Sequence, residues 1–317
     1  MRAVNSSLLC DTLSGRITIA AASPLPLDGL FLGAAMGAAD LHLDSLGPIR
    51  FDTPDRPCAD NPAATHVPTF HREFNDSRLA AASNAMAEVH VHAATHSTGA
   101  WRLPAAMSFA FAQQWARLGF ASVHGALLQV DDCGVLVLGK RGAGKSVLAS
   151  SALTAGGAIV SDDHLLLGCQ NDQLVGERIR AFMSLRASWA ASALFKHSLD
   201  GWLGHQRQHR SYLAIAPDDH RFPTACRIDR IWLLERPRTG RGVHSTLAAV
   251  SQATVYARLL NSIQPLLLGA AFPHEARLLG ALTLQLASRI PAARLVTGQD
   301  IVTAPRDTWR QLLRTAP

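Results

Sequence analysis

Hydrophobic residues in the central part of the chain form short and nearly continuous runs, a pattern that predicts strands buried on both faces. Two of these runs, residues 121–130 and 135–138, are joined by Asp131-Asp132-Cys133-Gly134, a turn in which we expect the glycine to adopt a positive φ. Residues 158–167 form a further apolar run that two adjacent carboxylates interrupt, and residues 229–235 resemble a later core strand. The central segment therefore predicts a sheet of hydrophobic strands.

Helical periodicity alternates with these runs. Residues 105–118 carry apolar side chains at helical spacing, and residues 147–153 are good helix formers that end before two consecutive glycines. Toward the carboxyl terminus the chain is rich in alanine and leucine. That composition predicts helix over about residues 254–286, a strand over residues 293–297 and a terminal helix over residues 306–314.

The first hundred residues have a different pattern, with short strands separated by turns. Residues 15–20 alternate between apolar and polar positions, whereas residues 52–68 are rich in Pro, Asp and Asn. We expect residues 1–100 to form a small amino-terminal α+β domain apart from a larger domain over residues 101–317. His90 and His92 would share one face of a strand and could ligate a metal, but no Cys or carboxylate completes a metal-binding spacing, which favours ordinary strand histidines.

One motif with specific chemistry follows the second central strand. Residues 139–146 match G-x-x-x-x-G-K-[ST], with an apolar strand before them and a helix-forming run after them. Glycines in such a loop allow backbone N–H groups to point at phosphate oxygens, and the helix N-terminus favours negative charge. We expect Lys145 to reach the β and γ phosphates of ATP and the Ser146 hydroxyl to ligate Mg²⁺. The predicted nucleotide-binding residues are Gly139, Lys140, Arg141, Gly142, Ala143, Gly144, Lys145, Ser146 and Val147.

Two adjacent acids lie a short distance downstream of this loop. Asp162 is 17 residues beyond Lys145 (162 − 145), and Asp163 follows it. Strand, loop, helix and next strand would form one compact unit that returns both carboxylates to the loop. One carboxylate would then hold the metal and the other would face the incoming nucleophile. The alternative interpretation is a solvated turn at the end of a strand, as we also expect for Asp218-Asp219-His220.

The charge of the chain indicates the class of its ligands, and its cysteine content indicates its compartment. Thirty Lys plus Arg against 24 Asp plus Glu leave a net charge of +6, which favours anionic ligands, but no dense basic block indicates nucleic acid. No long apolar span predicts export or a membrane anchor. Five scattered cysteines favour a reducing cytoplasm over a disulfide framework. Leucine clusters at residues 266–268 and 278–279 predict either core packing or a subunit interface. A homo-oligomer is the second of these two interpretations.

The residues around the loop resemble the catalytic domain of HPr kinase/phosphorylase. The resemblance rests on Val123-His124-Gly125-Ala126, on the strand and loop of residues 134–146 and on residues 157–163. It implies an α/β fold with a P-loop kinase core of the HPr kinase / phosphoenolpyruvate carboxykinase type. It also implies that ATP and Mg²⁺ support phosphoryl transfer to a serine hydroxyl of a protein or peptide. By that resemblance His124 lies near the reacting phosphate, Asp162 is the general base, and Asp163 with Ser146 handles Mg²⁺.

The chain departs from the family pattern in two respects. Lys140-Arg141 stand where the family usually has a small residue or serine, and the glycine- and arginine-rich signature of the bifunctional enzymes has no clear copy here. Phosphorylase activity and HPr as the acceptor therefore stay open. The chain is also similar to HPr-kinase-like proteins of lasso-peptide clusters, which phosphorylate a peptide serine. Two other functions remain alternatives, a nucleotide-binding regulator without transferase activity and a small-molecule kinase.

Overall fold

The computed structural model describes the chain in thirteen separate ranges. They are residues 6–12, 15–21, 46–52, 69–74, 77–83, 88–95, 120–178, 182–186, 202–207, 210–214, 219–236, 242–263 and 273–315. The helix predicted over residues 105–118 and most of the turn-rich segment 52–68 lie outside these ranges.

Six strands of the amino-terminal part form one antiparallel sheet. They are Ser6–Thr12 (β1), Gly15–Ala21 (β2), Leu46–Asp52 (β3), Thr69–Phe74 (β4), Ser77–Ser83 (β5) and Glu88–Thr95 (β6), and they pair in the order β1-β2-β3-β6-β5-β4. The strand predicted over residues 15–20 is confirmed as β2, and His90 and His92 lie on β6. The predicted domain boundary near residue 100 falls outside the described ranges and stays a prediction.

The remaining described strands form three further sheets. They are Ala121–His124 (β7), Ala126–Val130 (β8), Cys133–Leu138 (β9), Ala158–Ser161 (β10), His164–Gln170 (β11), Gln173–Arg178 (β12), Phe182–Arg186 (β13), Trp202–Arg207 (β14), Arg210–Ala214 (β15), Ala225–Arg227 (β16), Arg230–Glu235 (β17), Thr246–Ala249 (β18) and Ala292–Val296 (β19). The strand orders are β10-β8-β9-β17-β19-β18, β16-β12-β11-β7 and β13-β15-β14. The strands predicted over residues 229–235 and 293–297 are thus confirmed as β17 and β19.

The sheet with the strand order β10-β8-β9-β17-β19-β18 is called the central sheet below. The helices follow or flank its strands. They are Lys145–Thr154 (α1), Gln252–Ser262 (α2), Pro273–Arg289 (α3), Asp300–Thr303 (α4) and Pro305–Thr315 (α5). The helix predicted after the glycine-rich loop is confirmed as α1, and the terminal helix as α5. The long carboxyl-terminal helix is found as α2 and α3 at its two ends, with residues 264–272 outside the described ranges. Mixed strands and helices confirm an α/β protein.

The direction of the strands decides which loops meet. Strand β9 is parallel to β17, and β17 is parallel to β19. Strand β8 is antiparallel both to β9 and to β10, so β10 runs in the same direction as β9. Because carboxyl ends of strands with one direction lie at one edge of a sheet, the segments after β9 and β10 emerge together.

Two predicted strands each divide between two sheets, which corrects the sequence analysis. The run over residues 121–130 becomes β7 and β8 with a break at Gly125, and the run over residues 158–167 becomes β10 and β11 with a break at Asp162 and Asp163. The N–H of Gly125 donates to the carbonyl of Asp163 at 2.9 Å, so the two breaks lie against each other. Hydrophobic periodicity does not register such a change of partner, because both halves of each run are buried.

The central sheet is buried on both faces, which explains its continuous apolar runs. One face packs on α1, α4 and α5, and the buried residues of this cluster include Val135, Val137, Leu148, Trp232 and Trp309. Leu127 and Leu136 alternate with that set and are also fully buried. Leu127 approaches Gly176 of β12 so closely that a Cβ there would meet its Cδ2 at 2.4 Å, which shows that the four-stranded sheet covers the second face.

The turn between β8 and β9 has a different conformation from the one expected. Asp131 and Asp132 adopt the positive φ values, 48° and 60°, and Gly134 does not. Positive φ at both central residues is the conformation that suits a two-residue hairpin, and aspartate tolerates it better than most residues do. Gly134 is required for another reason, because a Cβ at this position would meet the carbonyl oxygen of Arg227 at 1.8 Å.

Helix α1 ends as the glycine pair predicts. Gly156 has φ 91°, its N–H donates to the carbonyl of Leu153, and the N–H of Gly157 donates to that of Ala152. These two bonds are those of a Schellman motif, in which glycine takes the left-handed position without a steric penalty. Within the described residues, no helix has both the length and the apolar character needed to cross a membrane.

Candidate functional site

Three segments meet at the edge of the central sheet where β9 and β10 end. The first is the loop from Gly139 to Gly144, between β9 and α1, and the second is Asp162-Asp163 after β10. The third is His124, the last residue of β7, which precedes Gly125 and the start of β8. The structure thus brings together the loop, the acid pair and the histidine that the sequence singled out.

Two glycines of the loop adopt a backbone conformation that other residues rarely take. Gly142 and Gly144 have φ values of 82° and 113°, in the left-handed region that favours glycine. A Cβ at either position would meet nothing within 4 Å, so the positive φ and not crowding explains these glycines. Gly144 is the N-cap of α1 and no side chain caps the helix, whose first turn carries no acid. The helix therefore begins with unpaired N–H groups and a favourable dipole toward an anion.

Lys145, the first residue of α1, is buried beside the loop. Its side chain is 8% exposed, and its ammonium donates to the carbonyl of Gly139 at 2.8 Å. The same nitrogen lies 3.1 Å from Nε2 of His124. Burial lowers the pKa of Lys145 below its usual value, and the nearby carboxylates of Asp163 and Asp162 partly offset that shift. The positive charge of Lys145 is therefore poorly hydrated and close to both predicted acids.

His124 connects the lysine to one of the two acids. Its Nδ1 lies 3.0 Å from Oδ1 of Asp163, while Nε2 faces Lys145. When Lys145 is an ammonium it can only donate, so Nε2 accepts and Nδ1 carries the proton that Asp163 accepts. Lys145, His124 and Asp163 are consequently linked by two consecutive polar contacts beside the loop.

The two acids differ in exposure and in contacts. Asp162, predicted as the base, is the more buried one at 8% exposed, whereas the side chain of Asp163 is 27% exposed. The contact with His124 is made by Asp163, which the sequence analysis assigned to the metal. Ser146, the other residue predicted to ligate the metal, lies half-buried in the first turn of α1 with Val147.

The outer part of the loop is basic. Lys140 and Arg141 are exposed, and the N–H of Ala143 donates to the carbonyl of Lys140 at 3.1 Å, which closes the turn. Gly139 is buried, and a Cβ there would meet the carbonyl oxygen of Leu234 at 3.0 Å. The nine predicted nucleotide-binding residues thus run from the end of β9 into the first turn of α1, and two of them are exposed cations.

The sequence analysis missed His164 at this site. His164 is the direct partner of His124 in the antiparallel pair of β11 with β7, and its Nε2 lies 3.8 Å from Oδ2 of Asp163. The two imidazole rings are tilted, with centroids 5.1 Å apart. The signal in the sequence is a histidine immediately after two acids, but only the pairing of β7 with β11 shows that it reaches His124.

The residues of the site have the chemistry needed to bind a nucleoside triphosphate and a hard divalent cation such as Mg²⁺. An uncapped helix N-terminus, positive-φ glycines and a buried lysine suit phosphate oxygens. A carboxylate at Asp163 and a hydroxyl at Ser146 are oxygen ligands of the kind that Mg²⁺ prefers. These are the residues that would hold the two groups.

The sequence and the structure of the chain are both similar to those of known proteins. Residues 118–187 match the family model described as the HPr Serine kinase C-terminal domain. Among solved structures, the HPr(Ser) kinase/phosphatase from Coxiella burnetii is 14% identical, with a TM-score of 0.31 over 61% of this chain and 91% of that chain. The search of curated proteins gave no match. The matched segment contains the loop, both acids and both histidines of the site, so the similarity to the HPr Serine kinase C-terminal domain covers the candidate site.

Proposed function

We propose that the chain is a kinase that uses ATP and Mg²⁺ to phosphorylate a serine hydroxyl of a protein or peptide. The observation that carries the proposal is the buried ammonium of Lys145, which contacts His124 beside a glycine-rich loop and two acids. The match of residues 118–187 to the HPr Serine kinase C-terminal domain supports kinase activity in general.

Residues 139–147 would bind the phosphates of ATP. The unpaired N–H groups at the start of α1 and around Gly142 and Gly144 would donate to phosphate oxygens. Lys145 would add a charge-assisted hydrogen bond, which is stronger than a neutral one and stronger still in a site that excludes water. Exposed Lys140 and Arg141 would attract the polyphosphate before it is seated.

Asp163 and Ser146 would hold Mg²⁺ on this side of the loop. When bound, Mg²⁺ neutralises part of the negative charge on the phosphates of ATP, which is the phosphoryl donor. The contact of Asp163 with His124 fixes the orientation of its carboxylate, because Nδ1 of the ring is only 3.0 Å from Oδ1. A preoriented ligand loses less entropy when the ion binds.

Asp162 would accept the proton of the attacking hydroxyl. An alcohol is a weak nucleophile near neutral pH, and a positioned base typically raises the rate about 10²- to 10⁴-fold. Asp162 is only 8% exposed and lies near the charge of Lys145, which places its carboxylate beside the phosphates that the loop would bind. His124 would stand near the transferred group, where it orients Lys145 through Nε2.

The acceptor and the compartment belong to the same proposal. A protein or peptide bearing a serine would approach over the exposed rim of the loop, where Lys140 and Arg141 provide positive charge. Free Cys133, Cys169 and Cys226 fit the reducing cytoplasm in which ATP is abundant.

The test is a transfer assay with γ-labelled ATP, Mg²⁺ and serine-bearing proteins or peptides. Asp162→Asn should retain Mg·ATP binding by calorimetry and lose labelled acceptor about 10²- to 10⁴-fold. The matched control is Asp132→Asn, which changes an exposed acid in the turn between β8 and β9 and should transfer at the wild-type rate. Label on a metabolite instead of a polypeptide would establish a small-molecule kinase. Binding of Mg·ATP without any labelled product would establish a regulator.

A further inference from the structure

We propose that His124, Asp163 and His164 form a binding site for a divalent transition metal of the Zn²⁺ or Co²⁺ type. The site shares Asp163 with the one proposed for Mg²⁺ and differs from it in using two imidazoles in place of the Ser146 hydroxyl. It binds its metal in the absence of nucleotide. Metal binding at this site can therefore be tested without any assay of kinase activity.

The ligand atoms have the separation that such a metal requires. One atom from each of the three side chains lies within 4.8 Å of the other two. A carboxylate oxygen of Asp163 is 3.0 Å from Nδ1 of His124, and the other is 3.8 Å from Nε2 of His164. Two ligands on a tetrahedral metal with bonds of about 2.0–2.1 Å lie about 3.3 Å apart. The two distances, each to a different oxygen of the Asp163 carboxylate, lie on either side of this value, and all three ligand atoms lie within 4.8 Å of one another.

The site is built on paired strands and needs little rearrangement. His164 and His124 are directly opposite each other in the pairing of β11 with β7, which places both side chains on one face of the sheet. Asp163 is adjacent to His164, and its carbonyl accepts a hydrogen bond from the N–H of Gly125, the residue after His124. Both histidines thus lie on paired strands, which hold metal ligands more accurately than a loop does, and a backbone hydrogen bond ties the break at Asp163 to them.

The chemistry of the donors selects the class of ion. Two imidazole nitrogens and one carboxylate oxygen suit Zn²⁺, Co²⁺ and related ions, whereas Mg²⁺ prefers oxygen ligands throughout. The side chains of His124, Asp163 and His164 are 37%, 27% and 22% exposed, so ions can enter from solvent. Three protein ligands leave a fourth position for water or another ligand.

Metal binding has a consequence for Lys145. A metal on Nδ1 of His124 requires the ring proton to be on Nε2, the nitrogen that lies 3.1 Å from the ammonium of Lys145. Two donors cannot share a hydrogen bond, so the lysine moves off the ring and retains the carbonyl of Gly139 as its acceptor. Occupancy of the site therefore separates Lys145 from His124.

The experiment is titration of the metal-free full-length chain with Co²⁺, followed by absorption in the visible range, with Zn²⁺ as a competitor. We expect one Co²⁺ per chain to give d–d bands that Zn²⁺ removes and that millimolar Mg²⁺ does not. His164→Ala should weaken this binding at least about 100-fold, because loss of an outer-shell partner alone costs about 10- to 100-fold. The matched control is His244→Ala, which removes a histidine that is 79% exposed and should leave the affinity unchanged.

A second variant protects the test against a folding defect in the first. His164→Cys supplies a thiolate at the same position, and we expect it to bind Co²⁺ with a sulfur-to-cobalt charge-transfer band in the near ultraviolet. Equal Co²⁺ affinity in the wild type and His164→Ala would overturn the proposal, as would the absence of the charge-transfer band in a folded His164→Cys. Mg·ATP binding without Co²⁺ binding would refute this site alone, and the reverse result would refute the kinase proposal alone.

Discussion

The ammonium of Lys145, the first residue of α1, lies 3.1 Å from Nε2 of His124, which is 21 positions earlier in the chain and ends a strand of the four-stranded sheet. Without nucleotide, Lys145 thus has two neutral acceptors, this ring nitrogen and the carbonyl of Gly139. Phosphate oxygens would replace them with charged acceptors, which make stronger hydrogen bonds. This exchange would allow a lysine that is buried in the free protein to bind the proposed ATP.

Lys145→Met should therefore weaken Mg·ATP binding about 10- to 100-fold, the value of one charge-assisted hydrogen bond of about 1.5–3 kcal/mol. His124→Ala should change the affinity much less, because Lys145 keeps the Gly139 carbonyl and its charge. Calorimetry on both variants measures the difference. Lys140→Met, which removes an exposed lysine from the same loop, is the control. A similar loss in all three variants would show that general charge and not the position of Lys145 governs binding.

The lowered pKa of Lys145 predicts how nucleotide affinity depends on pH. Burial disfavours the charged form, so in the free protein the ammonium loses its proton below the ordinary value of 10.5. Mg·ATP affinity should therefore begin to fall on the alkaline side at a pH below 10.5. Lys145→Arg keeps its charge throughout this range, and its affinity should stay level over the same titration. A decline that is identical in both proteins would assign the effect to another group.

Gly134→Ala should strongly destabilise the protein. Its Cβ would meet the backbone oxygen of Arg227 at 1.8 Å, and neither backbone can move without disturbing the pairing of β9 or β16. We expect a loss of about 1–3 kcal/mol or more in the free energy of unfolding, measured by urea denaturation. Gly242→Ala is the matched control, since the nearest atom to its Cβ would be 4.0 Å away. Its free energy of unfolding should change by less than about 1 kcal/mol.

Two stacked tryptophans differ in whether the indole N–H is hydrogen-bonded, so their variants measure what a buried hydrogen bond contributes to stability. Trp232 and Trp309 are both fully buried with ring centroids 5.1 Å apart. Nε1 of Trp309 donates to Oγ of Ser151 at 2.8 Å, whereas Nε1 of Trp232 has no partner among the residues that the structure describes. Trp309→Phe should thus cost more stability than Trp232→Phe, by about 1 kcal/mol, because only the first loses a hydrogen bond. Thermal unfolding of both variants decides the order, and equal costs would contradict the assignment.

Asp219 should contribute to stability in a way that depends on pH. The sequence predicts a surface turn here, but the Asp219 side chain is only 14% exposed because Arg221 covers it, with Nη2 2.6 Å from Oδ2. The hydrogen bond from Arg221 lowers the pKa of Asp219 below 3.8. Because the pKa of Asp219 is lower in the folded state, its stabilisation is present above the pKa of the unfolded state. The stabilisation is lost as the pH falls through the pKa of the folded state.

Asp219→Asn should therefore destabilise the protein by about 1 kcal/mol near neutral pH, and the difference from the wild type should shrink below about pH 4. Urea midpoints across this range provide the measurement. Asp172→Asn is the matched control, since Asp172 pairs with Arg289 at 3.0 Å but is 85% exposed, and exposed pairs contribute little. A constant difference between the Asp219 variant and the wild type at all pH values would exclude the ionised carboxylate as the cause.

Local pattern was sufficient for the elements that build the site. The loop of residues 139–146, helix α1, the Schellman end at Gly156 and strands β17 and β19 all follow from the order of apolar residues and glycines. Each is specified by neighbours within a few residues, where φ preferences and burial act directly. The turn at Asp131 and Asp132 shows the limit, because the same short segment admitted positive φ at either its acids or its glycine.

The sequence by itself determined an α/β chain with a glycine-rich loop, a lysine, a histidine and two acids. Only the tertiary structure decided that residues 121–130 and 158–167 each contribute to two sheets, that His124 contacts Asp163 and that His164 faces His124. The physical reason is that pairing between strands depends on backbone hydrogen bonds between residues far apart in the chain. Those bonds leave no periodic trace in a run whose two faces are both buried.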